Sequence, residues 1–259
     1  MNRKILLGSA AFVYYALAMY ALFSFEASLL VTSLILFAIP AYFLAHYSAA
    51  PTVILVSVAT FGAGVVILFE GIAHLYGMWY TFGVDTFRIF GLIPIEVVLT
   101  SVVQILFLVL LYELLFDDGE YVTTHARAYL VAFGIFGLLV LLFIGMHQYI
   151  LQTLLFKDPY IWVIGSFIVA TLGALIVQRS LTLHLFYKLC AFTAVAAIPL
   201  LISLFLAVTN THKMYAYMYD YTYNFTSFVR FVPIEELVLV LLFPFFVATF
   251  YELYLDDRK

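Results

Sequence analysis

Charged residues are scarce in this sequence. Only 10% of its 259 residues are Asp, Glu, Lys or Arg, whereas 66% are apolar. A soluble domain carries about 25% charged and roughly 45–50% apolar residues, so this chain has too little polar surface to cover even one water-soluble core. The composition therefore predicts a protein whose solvent is the lipid bilayer.

Several chemical signatures are also missing. Cys190 is the only cysteine, so an intrachain disulfide is excluded. The net charge is -4 and no basic stripe is present, which argues against nucleic acid as a partner. Gly62-Ala63-Gly64 runs on into apolar residues without the third glycine of a dinucleotide fingerprint, and the sequence contains no P-loop. Neither a cofactor nor a metal site is predicted.

Long apolar runs are what the sequence has in abundance. A helix needs about 20 apolar residues to cross the hydrocarbon core of a bilayer. The predicted fold class is therefore all-α: a polytopic membrane helix bundle of about eight transmembrane helices, multi-pass in the cell membrane. The predicted spans cover residues 4–24, 27–46, 51–74, 93–116, 127–148, 159–178, 183–208 and 232–255.

Polar motifs recur at a constant interval of 139 residues. This recurrence predicts two tandem repeats of four helices, residues 1–120 and 121–259, which meet at a polar break. The recurring motifs are Pro94-Ile95-Glu96 and Pro233-Ile234-Glu235, Tyr112-Glu113 and Tyr251-Glu252, and Asp117-Asp118 and Asp256-Asp257.

The glutamates of the Pro-Ile-Glu motif are the leading candidates for chemistry. Glu96, Glu235 and Glu236 follow a proline at the start of a predicted span. One interpretation is ordinary helix N-terminus chemistry, because the helix dipole favours a carboxylate there. However, a carboxylate inside the bilayer costs about 2.5–3.5 kcal/mol, and the arrangement occurs twice. We expect the three acids to converge on one cavity, where a carboxylic acid beside a carboxylate gives and takes protons.

A second set of acids lies about 25 Å further along the same two helices. These acids suggest either a Mg²⁺ site for a diphosphate or, as we favour, solvated helix ends that hold each span at the interface. They are Glu113, Asp117, Asp118, Glu252, Asp256 and Asp257. Glu70 and His74 lie one helical turn apart near the end of the third span. We expect this histidine at the membrane interface, rather than in a ligand site.

Aromatic residues crowd the loops that precede the fourth and eighth spans. An interfacial aromatic belt explains part of this enrichment, and π-faces that stabilise a developing cation are the functional interpretation. An arginine also precedes each Pro-Ile-Glu motif, where it either pairs with the glutamate or anchors the loop. The predicted substrate-binding residues are Trp79, Tyr80, Tyr219, Arg88 and Arg230.

An aromatic-rich loop followed by Pro-Ile-Glu at the start of an apolar span resembles the membrane-integral lycopene β-cyclase family, in its two-repeat, single-chain archaeal type. The resemblance covers roughly half the chain. It rests on Gly77-Met78-Trp79 through Pro94-Ile95-Glu96, and on Tyr215 through Pro233-Ile234-Glu235-Glu236. The first copy departs from the family pattern, because Val97 stands where a second glutamate is expected. This shifts the predicted acid/base pair to Glu235 and Glu236, with Glu96 assisting.

The resemblance implies a redox-neutral cyclisation of the end groups of a linear carotenoid, without a cofactor. The implied partners are an isoprenoid or carotenoid substrate and the lipid bilayer, and a homo-oligomer is compatible with the sequence. Three alternatives remain open. They are a carotenoid hydratase, a proton-coupled transporter with acids between its repeats, and a non-catalytic membrane protein that binds an isoprenoid.

Overall fold

The computed structural model describes residues 3–25, 27–48, 51–75, 79–81, 87–117, 159–178, 183–209, 215–217 and 234–252, together with positions 137 and 141. Helices dominate these residues. They are α1 (Arg3–Ser24), α2 (Leu29–Ala45), α3 (Pro51–Ser57, Val58–Gly62 and Ala63–Leu75 in succession), α4 (Ile95–Leu115), α5 (Pro159–Gln178), α6 (Leu183–Thr209) and α7 (Ile234–Phe250). Four short strands are also present: β1 (Trp79–Thr81), β2 (Arg88–Ile89), β3 (Ile93–Pro94) and β4 (Tyr215–Tyr217).

Three of the described helices are long and apolar enough to cross a membrane. They cover Pro51–His74, Ile95–Leu115 and His184–Ala207. The other described helices contribute shorter apolar stretches. The chain is thus largely helical and suited to a membrane, as the composition predicts. The full set of eight spans and the two repeats stay predictions, and the predicted span 127–148 lies outside the described residues except at positions 137 and 141.

Prolines lie at the starts of several helices. Pro51 and Pro159 are the first residues of α3 and α5, where the missing N–H has no helical acceptor to lose. Pro94 is the N-cap of α4, with φ -62° and ψ 134°. Pro199 and Pro244 lie inside α6 and α7, as expected.

The chain divides into two compact units. The first contains Met1–Phe116 and Ile198–Asp220, and the second contains Asp117–Ala197 and Tyr221–Lys259. The division of the chain into repeats at residues 1–120 and 121–259 stays a prediction.

Helix α4 forms the centre of the first unit, where it packs against α2 and α3. Val97, Leu108 and Val109 are fully buried along it. The ring of Phe107 meets Phe37 of α2 edge-on, with centroids 5.7 Å apart, and also meets a tyrosine of α1 at 6.5 Å. Helix α4 therefore contributes much of the apolar core of the first unit.

Two glycines of α3 lie at its contacts with α4 and with the strand β3 that precedes α4. A Cβ atom at Gly62 would lie 3.4 Å from the Cδ1 atom of Ile105, and one at Gly71 would lie 3.6 Å from the Cδ1 atom of Ile93. Gly62, earlier in α3, faces Ile105 within α4, whereas Gly71, later in α3, faces Ile93 just before α4. The two helices therefore run antiparallel. The C-terminal end of α3 therefore lies beside the start of α4.

Pro40 leaves carbonyl oxygens of α2 without a backbone donor, and side chains of α1 supply the missing hydrogen bonds. Proline has no N–H, so it cannot donate to the carbonyl oxygens of Leu36 and Ile35, four and five residues earlier. The backbone widens into a π-helical turn over Leu34–Ala38, directly before this proline. The hydroxyl of Tyr15 donates to the oxygen of Leu36 at 3.0 Å, and that of Tyr14 donates to the oxygen of Ile35. Two adjacent tyrosines therefore join α1 to α2.

In the second unit, α5 packs against α7. The rings of Phe167 and Phe246 meet edge-on with centroids 5.0 Å apart, and Phe186 of α6 meets Phe245 at 6.1 Å. Small residues such as Ala170 and Ala248 are buried along these helices. Aromatic side chains therefore fill the space between α7 and its neighbours.

Replacing Tyr15 with phenylalanine tests the role of its hydroxyl. We expect the free energy of unfolding to fall by about 1–3 kcal/mol, because a buried carbonyl oxygen loses its donor. Tyr20→Phe is the matched control, since Tyr20 lies on the same helix and is 76% exposed. The measurement is a titration of the purified protein from mild detergent into dodecyl sulfate, followed by circular dichroism.

A Pro40→Ala background makes this test specific. The new amide N–H can donate to Leu36, so Tyr15→Phe should lose most of its effect there. Equal destabilisation in both backgrounds would contradict the proposed link between Pro40 and Tyr15.

Candidate functional site

A tight hairpin sets the start of α4. Strands β2 and β3 pair antiparallel, with Arg88 opposite Pro94 and Ile89 opposite Ile93. Phe90 and Gly91 at the turn have φ angles of 54° and 72°. Two successive positive φ angles are typical of the type I′ turn found in β-hairpins. The N–H of Leu92 donates to the oxygen of Ile89 across this turn at 3.1 Å.

Hydrogen bonds close this hairpin onto the helix. A guanidinium nitrogen of Arg88 donates to the backbone oxygen of Leu92 at 3.0 Å, and the N–H of Ile95 donates to the oxygen of Phe87 at 3.0 Å. Arg88 therefore stabilises the loop before α4. The choice between anchoring the loop and pairing with Glu96 stays a prediction.

The hairpin places Glu96 in the first turn of α4. Its side chain is partly buried, and its Oε2 atom is shielded from solvent. The first N–H groups of a helix have no partner within the helix, and they favour a negative charge. The position is thus a sheltered place for a carboxyl group at the start of a helix of membrane-spanning length.

Glu70 and His74 form a buried pair at the same end of α3 and α4. The side chain of each is 6% exposed, and the Nδ1 atom of His74 lies 3.6 Å from the Oε2 atom of Glu70. The ring is therefore enclosed by protein, and its place at the membrane interface stays a prediction. The enclosure comes from the packing of α3 against β3, where Gly71 lies beside Ile93.

Arg88 adds a positive charge to this region, since it lies within electrostatic range of the His74 ring. Glu70, His74, Arg88 and Glu96 therefore gather where α3 ends and α4 begins. The spacing of Glu70 and His74 is a sequence signal for this buried pair. An acid and a histidine four residues apart on one face of an apolar helix are rare without a function.

The two aromatic loops are joined by a β-ladder. Strand β1 pairs antiparallel with β4, with Trp79 opposite Tyr217, Tyr80 opposite Ala216 and Thr81 opposite Tyr215. At the repeat interval of 139 residues, the counterpart of Trp79 is Met218, the neighbour of its actual partner. The ladder therefore joins the aromatic segment before α4 to the beginning of the segment that occupies the corresponding place in the second half of the sequence.

The remaining predicted site residues are only partly described. Glu235 and Glu236 are the second and third residues of α7, and the side chain of Glu236 is partly buried. Tyr219 and Arg230 lie outside the described residues. Glu96 belongs to the first unit, and Glu235 and Glu236 belong to the second. The convergence of the three acids stays a prediction.

Two acids of the second set, Glu113 and Glu252, are buried and not solvated as predicted. Glu113 and Glu252 are 8% and 2% exposed. In the second unit, the Nζ atom of Lys188 lies 2.8 Å from the Oε1 atom of Glu252, and the Tyr251 hydroxyl donates to Asp117 at 2.9 Å. Hydrophobic packing buries these helix ends. The ion pair with Lys188 then replaces the water that Glu252 loses on burial.

The other members of this set, Asp118, Asp256 and Asp257, lie outside the described residues. Within the described part of the chain, no group of three or more His, Cys, Asp or Glu side chains is arranged to hold a metal ion. Comparison of the chain with protein-family models, with curated proteins and with solved structures gives no match.

Breaking the pair between Lys188 and Glu252 should destabilise the second unit. Glu252→Gln or Lys188→Met leaves one buried charge without its partner, which costs about 3–5 kcal/mol. The double variant removes both charges and should recover most of this loss. Tyr187→Phe, at an exposed neighbouring position, is the control. Unfolding in dodecyl sulfate measures all four proteins, and additive losses in the double variant would refute the pairing.

Proposed function

We propose that this chain is a multi-pass membrane enzyme of the lycopene β-cyclase type, with eight transmembrane helices in two repeats. It closes the end groups of a linear carotenoid into six-membered rings. The observation that carries the proposal is the sheltered carboxyl group of Glu96 at the start of α4, with the buried Glu70–His74 pair at the same end of the helices.

The reaction needs only proton transfer. An acid gives a proton to the terminal double bond of the substrate, and the resulting cation accepts the π-electrons of a nearby double bond to form the ring. A base then removes a proton beside the new cation and leaves a double bond in the ring. One proton is gained and one is lost, so neither an oxidant nor a cofactor is consumed. Positioned acids and bases are sufficient for such a step.

In this proposal Glu235 and Glu236 act as an acid/base pair, and Glu96 is their counterpart from the first half. Helix starts suit this role because the N–H groups there stabilise the carboxylate after it releases its proton. The membrane setting also suits a substrate that is itself apolar and dissolves in lipid.

The aromatic loops supply the binding surface in this proposal. Trp79, Tyr80 and Tyr219 contribute π-faces that stabilise the cation. The ladder between β1 and β4 supports this role, because it holds the two aromatic segments together. Arg88 and Arg230 each precede a Pro-Ile-Glu motif, by six and three residues. The contact of Arg88 with Leu92 favours a role in holding the loop.

Expression in cells that accumulate lycopene tests the function. We expect cyclic carotenoids of unchanged mass, separated by chromatography and detected by absorption and mass. Glu235→Gln and Glu236→Gln should each lower conversion by about 10²–10⁴-fold, the usual contribution of an acid or base, and Glu96→Gln should also lower it. Glu26→Gln changes an acid far along the chain from both Pro-Ile-Glu motifs and should have no effect.

The products distinguish the alternatives. A product that is heavier by one water molecule would indicate a hydratase. Unchanged lycopene, from a protein shown to be in the membrane, would overturn the proposal for this substrate. Full activity of Glu235→Gln and Glu236→Gln would show that the cyclase reaction does not use these acids.

A further inference from the structure

The tautomer of His74 follows from its hydrogen bond. Its Nδ1 atom lies 2.9 Å from the backbone oxygen of Glu70. A carbonyl oxygen can only accept, so Nδ1 must carry the hydrogen. In the neutral ring, the Nε2 atom then carries the lone pair and is basic.

This basic nitrogen is buried and available. The His74 side chain is 6% exposed. Among the residues that the structure describes, none forms a hydrogen bond with its Nε2 atom. An unsatisfied polar atom in an apolar setting is costly, so its presence points to a group supplied by a ligand.

The carboxylate of Glu70 equips this histidine to accept a proton. Its Oε2 atom lies 3.6 Å from Nδ1, which is beyond hydrogen-bond distance. The hydrogen bond to the Glu70 backbone oxygen orients the ring, and the nearby negative charge of the carboxylate stabilises the imidazolium that forms when Nε2 takes up a proton. Glu70 is thus a positioning residue, and His74 is the group that would meet the substrate.

The Glu70–His74 pair lies in the first half of the sequence, where the Pro-Ile-Glu motif lacks a second glutamate. Val97 follows Glu96, whereas Glu236 follows Glu235. At the repeat interval, the counterparts of Glu70 and His74 are Thr209 and Lys213. The histidine is therefore present where the Glu-Glu pair is broken, and it lies at the same end of α3 and α4 as Glu96.

We propose that His74, oriented by Glu70, is the base of the first half and takes the place of the missing second glutamate. This inference rests on the proposed function. Glu96 gives a proton to the terminal double bond, and the Nε2 atom of His74 removes the proton whose electron pair forms the ring double bond. The proton then returns from the imidazolium to the Glu96 carboxylate, so the pair ends each cycle as it began.

His74→Asn tests the proposal, because the asparagine amide can still donate to the Glu70 carbonyl but no Nε2 atom is present. In lycopene-accumulating cells we expect the β-ring product to fall at least about tenfold, a conservative share of what a general base contributes. The ratio of products should also change. A cation without its base loses a proton from another carbon, which gives a ring isomer, or it is captured by water.

His46→Asn is the matched control. The Nδ1 atom of His46 lies 2.8 Å from the backbone oxygen of Tyr42, also four residues earlier, but this histidine is exposed. The yield and the product ratio should both match those of the unchanged protein.

Glu70→Gln provides a second test, which leaves the imidazole in place. We expect a smaller loss of the β-ring product with a shift of the product ratio in the same direction as His74→Asn. If His74→Asn does not accumulate in the membrane, the ratio in Glu70→Gln decides, and an unchanged ratio would overturn the proposal. Loss of yield without a change of ratio in both variants would indicate a purely structural role.

The outcomes separate this inference from the proposed function. If the unchanged protein cyclises lycopene and His74→Asn gives the same yield and ratio, the inference fails and the cyclase assignment stands. If the unchanged protein does not cyclise lycopene, the assignment and the role of His74 fall together.

Discussion

A lipid solvent requires every polar group to find its partner inside the protein, and much of this structure follows from that requirement. The carbonyl oxygens beside Pro40 receive hydroxyl hydrogens from Tyr14 and Tyr15. Lys188 and Glu252 pair at 2.8 Å. In water such groups would be solvated at little cost, whereas in hydrocarbon each unsatisfied group costs several kcal/mol. Among the described residues, polar side chains thus contribute contacts between helices.

The same requirement limits where acids can carry out chemistry. The start of a helix offers unpaired N–H groups and a favourable dipole, so a carboxyl group can lie there without a full counter-charge. The hairpin of β2 and β3 fixes that start for Glu96. Helix α3 packs against β3 and α4, which brings the Glu70–His74 pair to the same end of α4. Ionisable groups from two elements lie at one end of the first unit because α3 and α4 run antiparallel.

The repeated pattern in the sequence is uneven, and the unevenness is informative. Both halves carry Pro-Ile-Glu and Tyr-Glu motifs, and both Tyr-Glu motifs are buried. The second glutamate occurs in one half, and the buried acid–histidine pair occurs in the other. A lysine pairs with Glu252, whereas the residue at the repeat interval before Lys188 is Ala49. The ionisable residues of the two halves of the sequence therefore differ even where their other polar motifs agree.

The sequence by itself determined the elements that depend on local chemistry. Apolar runs predicted the described helices, and the Pro-Ile-Glu motif predicted the start of α4, because hydrophobicity and backbone geometry act over a few residues. Only the tertiary structure decided which polar residues are buried. Glu113 and Glu252 were expected near water. The pairing of β1 with β4 joins segments far apart in the chain. Burial and pairing depend on the approach of distant helices, which no local pattern encodes.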